Sequence, residues 1–401
     1  MLYFDHNAAA PLDPVARSAW LQASEQFVGN PSSLHRLGRR AEAALNDARS
    51  RLAVLLGCDA MDLVWTSGAT ESNNSVLHHA AKSLSADAEV WISSIEHPCV
   101  MESARTHFSG RIRIIPVTAL GTVDLEWLRE ALSAKPPGLV AMMAANNVTG
   151  ILQPWREVRE ICRSHGVPFF CDAVQWLGRL PADGLGACDW LSGCGHKAGG
   201  PRGIGFLKCP PAGRVTPLIH GGPQEEGRRA GTENVAGALA LVALLEERQR
   251  QTADLTERTA IRERFISSLL QRLPGSEILG TGALSLWNTV AVIMPETDCP
   301  QRWMVKLDKL GFAVSTGSAC SSGKEEPSPV LLAMQCPPEK ASRMLRLSSG
   351  WETTEEDWKA LLEGLVASAK ELGVAGAGVS KVGRASSLPE EVLRRTPDGV
   401  M

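Results

Sequence analysis

Short apolar runs alternate along this chain with helix-like segments, and this alternation constrains the fold more than any other feature. The run Leu139-Val-Ala-Met-Met-Ala-Ala145 is apolar at every position, as expected for a strand buried on both faces of a parallel sheet. Further strand-like runs cover 63–66, 89–94, 111–116 and 168–172, with helical patterns such as 38–56, 124–134 and 155–165 between them. The sequence therefore predicts an α/β fold, a mainly parallel sheet flanked by helices on both faces.

The length of the chain indicates a second structural unit. Its 401 residues exceed what one ordinary core accommodates. Beyond residue 250 the pattern changes to a charged helix ending at Leu273, strands over 288–294 and 343–348, and helices over 301–310 and 355–372. We expect a large domain over 15–254 and a smaller α/β domain made of 1–14 and 255–372. Residues 373–401 are rich in Gly, Ala, Ser and Arg, which predicts a mostly disordered tail.

Composition and charge exclude several classes of protein. The formal net charge is −3, from 41 basic and 44 acidic side chains, which argues against direct binding of nucleic acid. The apolar stretch Ala238–Leu245 is far shorter than the roughly 18 residues of a membrane span. The first residues, Met1-Leu-Tyr-Phe-Asp-His6, lack the basic and apolar regions of a signal peptide. We expect a cytoplasmic protein that does not bind membranes.

The ten cysteines do not form a metal-binding or disulfide framework. No two of them form C-x-x-C, which argues against zinc ribbons and iron–sulfur ligand runs, so no metal site is predicted. Disulfides are disfavoured in a cytosolic chain of this size, and most of the thiols are expected to be small buried hydrophobes. No G-x-G-x-x-G follows a predicted strand, which disfavours a nicotinamide-dependent dehydrogenase.

A lysine in a glycine-rich turn and an aspartate at the end of a strand suggest a specific chemistry. Lys197 closes the segment Ser192-Gly-Cys-Gly-His-Lys197, and Asp172 ends the apolar strand that begins at Phe169. Taken alone, Lys197 would be read as a solvated surface residue. Together, the two side chains are the groups that a pyridoxal 5'-phosphate site requires, because an aspartate keeps the pyridine nitrogen protonated and a lysine holds the aldehyde.

Two other stretches allow both a structural and a functional interpretation. In Thr66-Ser-Gly-Ala-Thr70 a strand turns into a helix start, which could bind phosphate through free N–H groups or could simply be capped. His97 precedes a proline-led helix, so it could be a plain capping residue. A planar ring that titrates near neutral pH also suits proton transfer.

Motifs spread over residues 3 to about 370 resemble those of fold-type I pyridoxal phosphate enzymes, and more narrowly the cysteine desulfurases of the NifS/IscS type, which belong to the class V aminotransferase family. They are, with the family pattern after each, Tyr3–Pro14 (Y-L-D-N-A-A-T-T-P-x-D-P), Gly29–His35 (G-N-P-S-S-x-H), Ser67–Glu71 (S-G-A-T-E), Glu96–Cys99 (E-H-x-A/S), Asn146–Gly150 (N-N-E-x-G), Asp172–Gln175 (D-A-x-Q), Gly195–Lys197 (G-H-K), Gly221–Asn234 (G-G-x-Q-E-x-G-x-R-x-G-T-x-N), 315–323 (S-x-G-S-A-C-x-S-G) and Arg346–Gly350 (R-x-S-x-G).

The resemblance implies a fold-type I transferase that converts L-cysteine to L-alanine and keeps the sulfur as a persulfide on Cys320. It implies that Lys197 holds the cofactor, that Lys197 and His97 move protons, and that Asp172 pairs with the ring nitrogen. Asn147 and Gln175 would orient the ring, and Arg346 with Asn147 would bind substrate. The residues implied for the phosphate are Ala69, Thr70, His196 and Thr232, with Cys194 as a weaker donor because a thiol replaces the usual serine.

The resemblance also implies partners. Thr232 would reach the cofactor of the other subunit, so a homodimer is expected. The sulfur acceptor would be an iron–sulfur scaffold or a thiolation enzyme.

Two alternatives stay open at this stage. One is a different pyridoxal phosphate lyase or transaminase, such as a selenocysteine lyase, which would not need Cys320. The other is a non-catalytic sulfur-transfer scaffold with a degenerate site. Ala9, Val148 and Cys194 depart from the family pattern, and these departures support the scaffold interpretation.

Overall fold

The computed structural model of the protein describes residues 1–210, 215–299, 302–316 and 328–378. Its strands are β1 (Leu2–Tyr3), β2 (Leu63–Thr66), β3 (Val90–Ser93), β4 (Ile112–Ile115), β5 (Leu139–Met143), β6 (Phe169–Asp172), β7 (Trp190–Cys194), β8 (Gly205–Lys208), β9 (Glu277–Ile278), β10 (Thr289–Ile293), β11 (Phe312–Ala313) and β12 (Met344–Ser348). Its α-helices are α1 (Pro14–Gln26), α2 (Arg36–Leu56), α3 (Ala69–Ser83), α4 (Pro98–His107), α5 (Leu125–Ala134), α6 (Trp155–Ser164), α7 (Val235–Gln251), α8 (Thr256–Arg272), α9 (Arg302–Lys309), α10 (Pro329–Ala333), α11 (Pro338–Ala341) and α12 (Glu355–Glu371). None of these helices combines the length and the apolar character needed to cross a bilayer.

A seven-stranded sheet with the order β2-β8-β7-β6-β5-β3-β4 forms the centre of the protein. Strands β7, β6, β5, β3 and β4 are parallel, whereas β8 runs antiparallel to both of its neighbours, β7 and β2. The prediction of a mainly parallel α/β sheet is confirmed. Strand β8 is the exception because residues 195–204 turn the chain back at the edge where β7 ends, with no crossover helix between the two strands.

Successive side chains of these strands enter two different cores. Phe169 and Cys171 of β6 lie in one cluster, which includes residues from α2, α5, α6 and α7. Phe170, between them, lies in a second cluster with residues from α3 and α4. Because side chains alternate across a strand, both faces of the sheet are buried and helices cover both. This explains why the strands appear in the sequence as unbroken apolar runs.

A third core stabilises the C-terminal half. Strands β12, β10 and β9 form an antiparallel sheet, and helices α8, α9 and α12 contribute side chains to the same cluster. The N-terminal strand β1 pairs with β11, and Phe4 is buried in this third core. The domain division at residues 14/15 and 254/255 stays a prediction, as does the disorder of 379–401, which lie outside the described residues. Within 373–378, the N–H of Gly378 donates to the Arg272 carbonyl at 2.9 Å.

The helices form close to where the sequence predicts them. The helix predicted from residue 38 begins at Arg36, because His35 is its cap and Nδ1 of this histidine accepts a hydrogen bond from the Gly38 N–H at 3.1 Å. The helix ends at Leu56, and Gly57 after it has a φ of 74°, a left-handed conformation that glycine adopts without strain.

We expect Gly205→Ala to lower the free energy of unfolding by about 1–3 kcal/mol, as overpacking does in well-packed cores. A Cβ at Gly205 would lie 2.7 Å from the Gly68 Cα and 2.7 Å from the Gly193 carbonyl oxygen, so backbone would have to move at the start of α3. Chemical denaturation measures the effect. Gly222→Ala is the control, because Gly222 is exposed and its Cβ would meet only the flexible end of Gln224. Equal denaturation midpoints for the two variants would contradict this packing argument.

Candidate active site

One edge of the central sheet collects the loops that follow the carboxyl ends of five strands. Residues 67–70 follow β2, His97 follows β3, Asn147 follows β5, Asp172 ends β6 and Lys197 follows β7. Residues that are far apart in sequence meet here because parallel strands all end at the same edge, where open α/β sheets bind their ligands.

Asp172 is the buried acid of this edge. Its Oδ1 accepts a hydrogen bond from the Val174 N–H at 3.0 Å, and its Oδ2 accepts one from Asn73 Nδ2 at 2.7 Å. Burial raises the pKa of Asp172, and these two donors oppose the rise together with the nearby His97 and Lys197. Such an environment suits a carboxylate that pairs with a cationic ligand group, since a partner charge replaces the lost solvation.

Lys197 lies at the same edge, with its amine directed at backbone oxygens. Nζ donates to the carbonyls of Asn7 at 2.9 Å and Ala8 at 2.6 Å. Burial lowers the pKa of Lys197, and Arg179 and Arg346 add to this effect. A lowered pKa increases the fraction of neutral amine, which is the form that attacks a carbonyl carbon.

His97 is placed for both of the roles that the sequence left open, capping a helix and transferring a proton. Its Nδ1 accepts a hydrogen bond from the Cys99 N–H at 3.2 Å, which makes His97 the cap of α4. Because the cap uses only Nδ1, the other nitrogen, Nε2, can serve a ligand. Burial lowers the pKa of His97, opposed by Asp172 and reinforced by Lys197. The ring is therefore mainly neutral near pH 7, and because Nδ1 accepts a hydrogen bond, its proton lies on Nε2, from which it can be donated.

The N-terminus of α3 supports the phosphate interpretation of residues 67–70. Gly68 at the cap position has no side chain to satisfy the first N–H groups, and Ala69 and Thr70 form the first turn. Cys194, at the end of β7, lies beside this turn. Burial raises the pKa of Cys194 to about 11, partly offset by Lys197 and by the N–H groups of Lys197 and Ala69. The thiol is therefore neutral at pH 7, and it does not repel an anion.

His196, next to Lys197, is a neutral side chain in this group. Burial lowers the pKa of His196 to about 4, and the charges of Lys197, Arg202 and His97 add to the effect. A neutral imidazole can donate one hydrogen bond to a bound phosphate, which is the role predicted for His196.

Asn7 joins three of the predicted residues, although the sequence did not identify it. Its carbonyl accepts from Lys197 Nζ at 2.9 Å and from Gln175 Nε2 at 3.0 Å, while its side-chain amide reaches the Asn147 carbonyl at 3.4 Å. The Oε1 atom of Gln175 is buried and has no hydrogen-bond partner among the described residues.

Arg346 reaches the site from strand β12. Its Nη1 donates to the Asn147 carbonyl at 3.0 Å, and its Nη2 pairs with Asp5 Oδ1 at 2.7 Å. The Nε atom is buried and has no hydrogen-bond partner in the described part of the chain. The guanidinium is thus held beside the Asn147 loop, and the substrate-binding role of Arg346 stays a prediction.

Two predicted residues are not placed within this group. Thr232 is exposed in the loop before α7, and its role across a subunit interface stays a prediction. Cys320 lies in the segment 317–327, outside the described residues.

The loop that carries Thr232 is anchored more firmly than its glycine-rich sequence indicates. Glu225 is buried and pairs with Arg49 at 2.8 Å, and Arg229 pairs with Glu71 in the first turn of α3 at 2.8 Å. The Arg229–Glu71 pair connects the loop to the start of α3, the candidate phosphate site, and the Arg49–Glu225 pair connects it to α2.

Among the residues that sequence reasoning missed are Asn7, Asn73 and Cys99, each of which contacts a predicted site residue. Cys99 had a usable signal, because it occupies the position where the E-H-x-A/S pattern has alanine or serine. Asn73 follows the S-G-A-T-E motif at helical spacing from Ala69, which places it on the same face of α3. Asn7 contacts Lys197 and Gln175 through its backbone carbonyl, so its side-chain identity gave no signal for these two contacts.

The pyridoxal phosphate implied by the resemblance fits these residues. The buried Asp172 carboxylate suits a protonated ring nitrogen, and the buried Lys197 amine suits an aldehyde. The orphaned Gln175 Oε1 can accept a hydrogen bond from a ring hydroxyl. The uncapped start of α3 offers N–H groups to an anion. Among the described residues, no group of His, Cys, Asp and Glu is arranged to hold a metal ion.

The sequence and the fold are both similar to those of known proteins. Residues 2–361 match the family described as aminotransferase class-V. The chain is 36% identical over 383 residues to a cysteine desulfurase of Gluconacetobacter diazotrophicus, and the aligned region covers 92% of this chain and 94% of that protein. It is 36% identical to the cysteine desulfurase IscS of Dictyoglomus turgidum, with 89% and 91% covered.

Solved structures agree with these relatives. A NifS-like protein from Rickettsia africae superposes with a TM-score of 0.83 at 29% identity, covering 92% of this chain and 99% of that one. A structure described as SspA in complex with cysteine superposes with a TM-score of 0.76 at 28% identity, covering 87% and 98%. On the combined basis of its sheet edge, its motifs and these relatives, the protein belongs to the cysteine desulfurase family of pyridoxal phosphate-dependent class V aminotransferases.

Proposed function

We propose that this protein is a pyridoxal phosphate-dependent cysteine desulfurase that converts L-cysteine to L-alanine and passes the sulfur to an acceptor. The observation that supports this most directly is the meeting of Lys197 and Asp172 at one sheet edge. Relatives named as cysteine desulfurases, similar over nine-tenths of the chain, supply the reaction. The complex of the similar SspA protein with cysteine supports cysteine as the substrate.

In the proposed site the chain's residues divide into binding and proton-moving groups. Bound pyridoxal phosphate supplies an electron sink for bonds broken at the amino acid. Asp172 holds the charge of the ring nitrogen, while Gln175 and Asn147 orient the ring. Ala69, Thr70, His196 and Cys194 bind the phosphate, and Arg346 with Asn147 binds the substrate carboxylate.

The proton steps are assigned to Lys197 and His97. Burial lowers the pKa of Lys197, which makes the neutral form of its amine accessible once the amine is free. His97 can exchange a proton through Nε2, because Nδ1 is engaged in capping α4.

Cys320 is the proposed sulfur acceptor within the protein. Its thiolate forms an S–S bond with the sulfur of the substrate, the substrate C–S bond breaks, and the carbon takes up a proton and leaves as alanine. Cysteine and the Cys320 thiol are thereby converted to alanine and the Cys320 persulfide, with no external oxidant or reductant. A thiol of the acceptor, in an iron–sulfur scaffold or a thiolation enzyme, then takes the outer sulfur atom.

We propose that the working form is a homodimer. Several large apolar side chains of the N-terminal region are exposed in the single chain and would be covered by a second copy: Leu12, Val15, Trp20, Leu21, Val28, Leu34 and Leu37. The loop with Thr232 is tied to α3 by the Arg229–Glu71 pair, which holds it in a defined place for contact with a neighbour. A cytoplasmic location is part of the proposal, because five buried cysteines are free thiols: Cys162, Cys171, Cys188, Cys194 and Cys209.

The desulfurase activity is tested by measuring alanine formed from L-cysteine in the presence of a reductant. We expect alanine from the wild type and a loss of at least about 100-fold in Cys320→Ala, the scale of losing an essential nucleophile. Cys336→Ala is the control and should keep wild-type activity. Equal alanine from wild type and Cys320→Ala would instead indicate a lyase that releases sulfur without this thiol. If the wild type forms no alanine with any thiol acceptor, the non-catalytic sulfur-transfer scaffold is the interpretation that remains.

Cys194→Ser is expected to bind pyridoxal phosphate more tightly than the wild type. A hydroxyl is a stronger hydrogen-bond donor than a thiol, so the dissociation constant should fall by about 3- to 10-fold. Fluorescence titration of the cofactor-free protein measures this. Cys209→Ser, a buried cysteine outside the site, controls for general effects of the substitution. An unchanged or higher dissociation constant in Cys194→Ser would show that this side chain does not donate to the phosphate.

A mixed dimer tests whether Thr232 acts across the interface. Dimers formed from one Lys197→Ala subunit and one Thr232→Ala subunit contain one intact site if Thr232 serves the neighbouring subunit. We therefore expect the mixed dimer to bind about one cofactor at wild-type affinity, whereas each parent homodimer binds none at that affinity. Recovery would be absent if Thr232 served its own subunit, and a monomeric mass by sedimentation would refute the dimer itself.

A further inference from the structure

Cys99 contacts Nδ1 of His97, the ring nitrogen to which no proton transfer is assigned. It belongs to the first turn of α4, and its Sγ is 3.0 Å from Nδ1 of His97. The backbone N–H of the same residue donates to that Nδ1 at 3.2 Å. An Nδ1 atom that accepts from an N–H carries no proton, so the only hydrogen available between Sγ and Nδ1 is that of the thiol.

A second contact orients this thiol. Asn73 Nδ2 lies 3.2 Å from Cys99 Sγ and 2.7 Å from Asp172 Oδ2. The Asp172 carboxylate can only accept a hydrogen bond, so the Asn73 amide must present its NH₂ group to Asp172. The two hydrogens of this NH₂ group then point at Asp172 and Cys99. Because the sulfur accepts from Asn73, its own hydrogen is free to point at His97.

The thiol stays protonated at working pH. Burial raises the pKa of Cys99 to about 12, with Asp172 adding to the rise and Asn73 and Thr70 opposing it. A thiol of this kind is a poor nucleophile, because thiolate is the reactive form. Cys99 is therefore suited to donate a hydrogen bond and is poorly suited to carry sulfur.

We propose that Cys99 is a positioning residue for His97: its S–H donates to Nδ1 and, together with the backbone cap, holds the imidazole in the neutral form that carries its proton on Nε2. The chain Asp172–Asn73–Cys99–His97 then links the carboxylate proposed to pair with the cofactor ring to the imidazole proposed to exchange protons. The catalytic consequence rests on the proposed function, whereas the state of the imidazole does not.

The charges around His97 give the sign of the expected pH effect. Asp172 from β6 favours the imidazolium, while Lys197 from the turn after β7 disfavours it, and His196 lies close enough to interact with His97. Glu96, the preceding residue, has a pKa raised to about 8 by burial and is mainly neutral at pH 7. A hydrogen bond from the thiol to Nδ1 stabilises the neutral ring and lowers the pKa of His97. Removing this hydrogen bond therefore raises the pKa of His97.

The experiment follows the imidazole nitrogens of His97 by ¹⁵N NMR in the cofactor-loaded full-length protein labelled at histidine. The His97 signals are assigned by their loss in His97→Gln. In the wild type, at pH values above the titration midpoint of His97, we expect Nε2 to carry the proton and Nδ1 to carry none.

In Cys99→Ala the titration midpoint of His97 should rise by about half a pH unit to one pH unit, the size expected for one lost hydrogen bond. In Cys99→Ser the hydroxyl can replace the thiol as donor, so the titration midpoint of His97 should return toward the wild-type value. Cys58→Ala, at a half-buried cysteine that lines a separate pocket, is the control and should leave the midpoint unchanged.

Three outcomes would overturn the proposal. These are a protonated Nδ1 in the wild type, a midpoint in Cys99→Ala that equals the wild-type value, and a persulfide on Cys99 detected by mass spectrometry after turnover. The acidic limb of the kcat/KM profile should move with the NMR midpoint in Cys99→Ala. If the protein forms no alanine while the NMR shifts appear as expected, the proposed function fails and the assignment of Cys99 stands.

Discussion

The burial of the Asp172 carboxylate is the constraint around which the rest of the site is arranged. Removing a carboxylate from water is costly, and a protein retains such a group only where donors and opposite charge compensate for the lost solvation. Here the Val174 N–H and the Asn73 amide supply hydrogen bonds, and His97 and Lys197 lie near enough to oppose the rise in the pKa of Asp172. Each of these partners belongs to a different loop or helix, so compensating one carboxylate fixes the mutual positions of four segments.

A buried arginine holds a second set of segments in place. Arg179 donates from Nη1 to the Gln175 carbonyl at 3.1 Å and from Nη2 to the carbonyls of His6 at 3.3 Å and Lys197 at 3.0 Å. It thereby ties the turn after β6, the N-terminal segment and the lysine turn to one another. Its positive charge has a further effect, because it helps to lower the pKa of Lys197. The same side chain thus acts on the structure of the site and on its electrostatics.

The fold was predictable to a large extent because burial on both faces produces unbroken apolar runs, and parallel strands with helices between them are the arrangement that buries such runs. The antiparallel β8 was less accessible to this reasoning, since a four-residue buried strand has the same pattern in either direction. In the site, Asp172 and Lys197 were identified by their types and positions, and the structure places both at the edge where the parallel strands end. Asn7 and Asn73 were not identified, because a backbone carbonyl and a helix-borne amide carry no signature of their own.

The sequence by itself determined the order of strands and helices, the chemical groups at the strand ends and the membership of a family whose motifs run along most of the chain. These features are local, since each depends on side-chain type and spacing within a few residues. Only the tertiary structure decided that Asn7 from the N-terminal segment would accept from both Lys197 and Gln175, and that Cys99 would touch His97 and Asn73 at once. Such contacts join segments up to 190 residues apart. They depend on distances of about 3 Å, which packing sets and which composition and spacing do not specify.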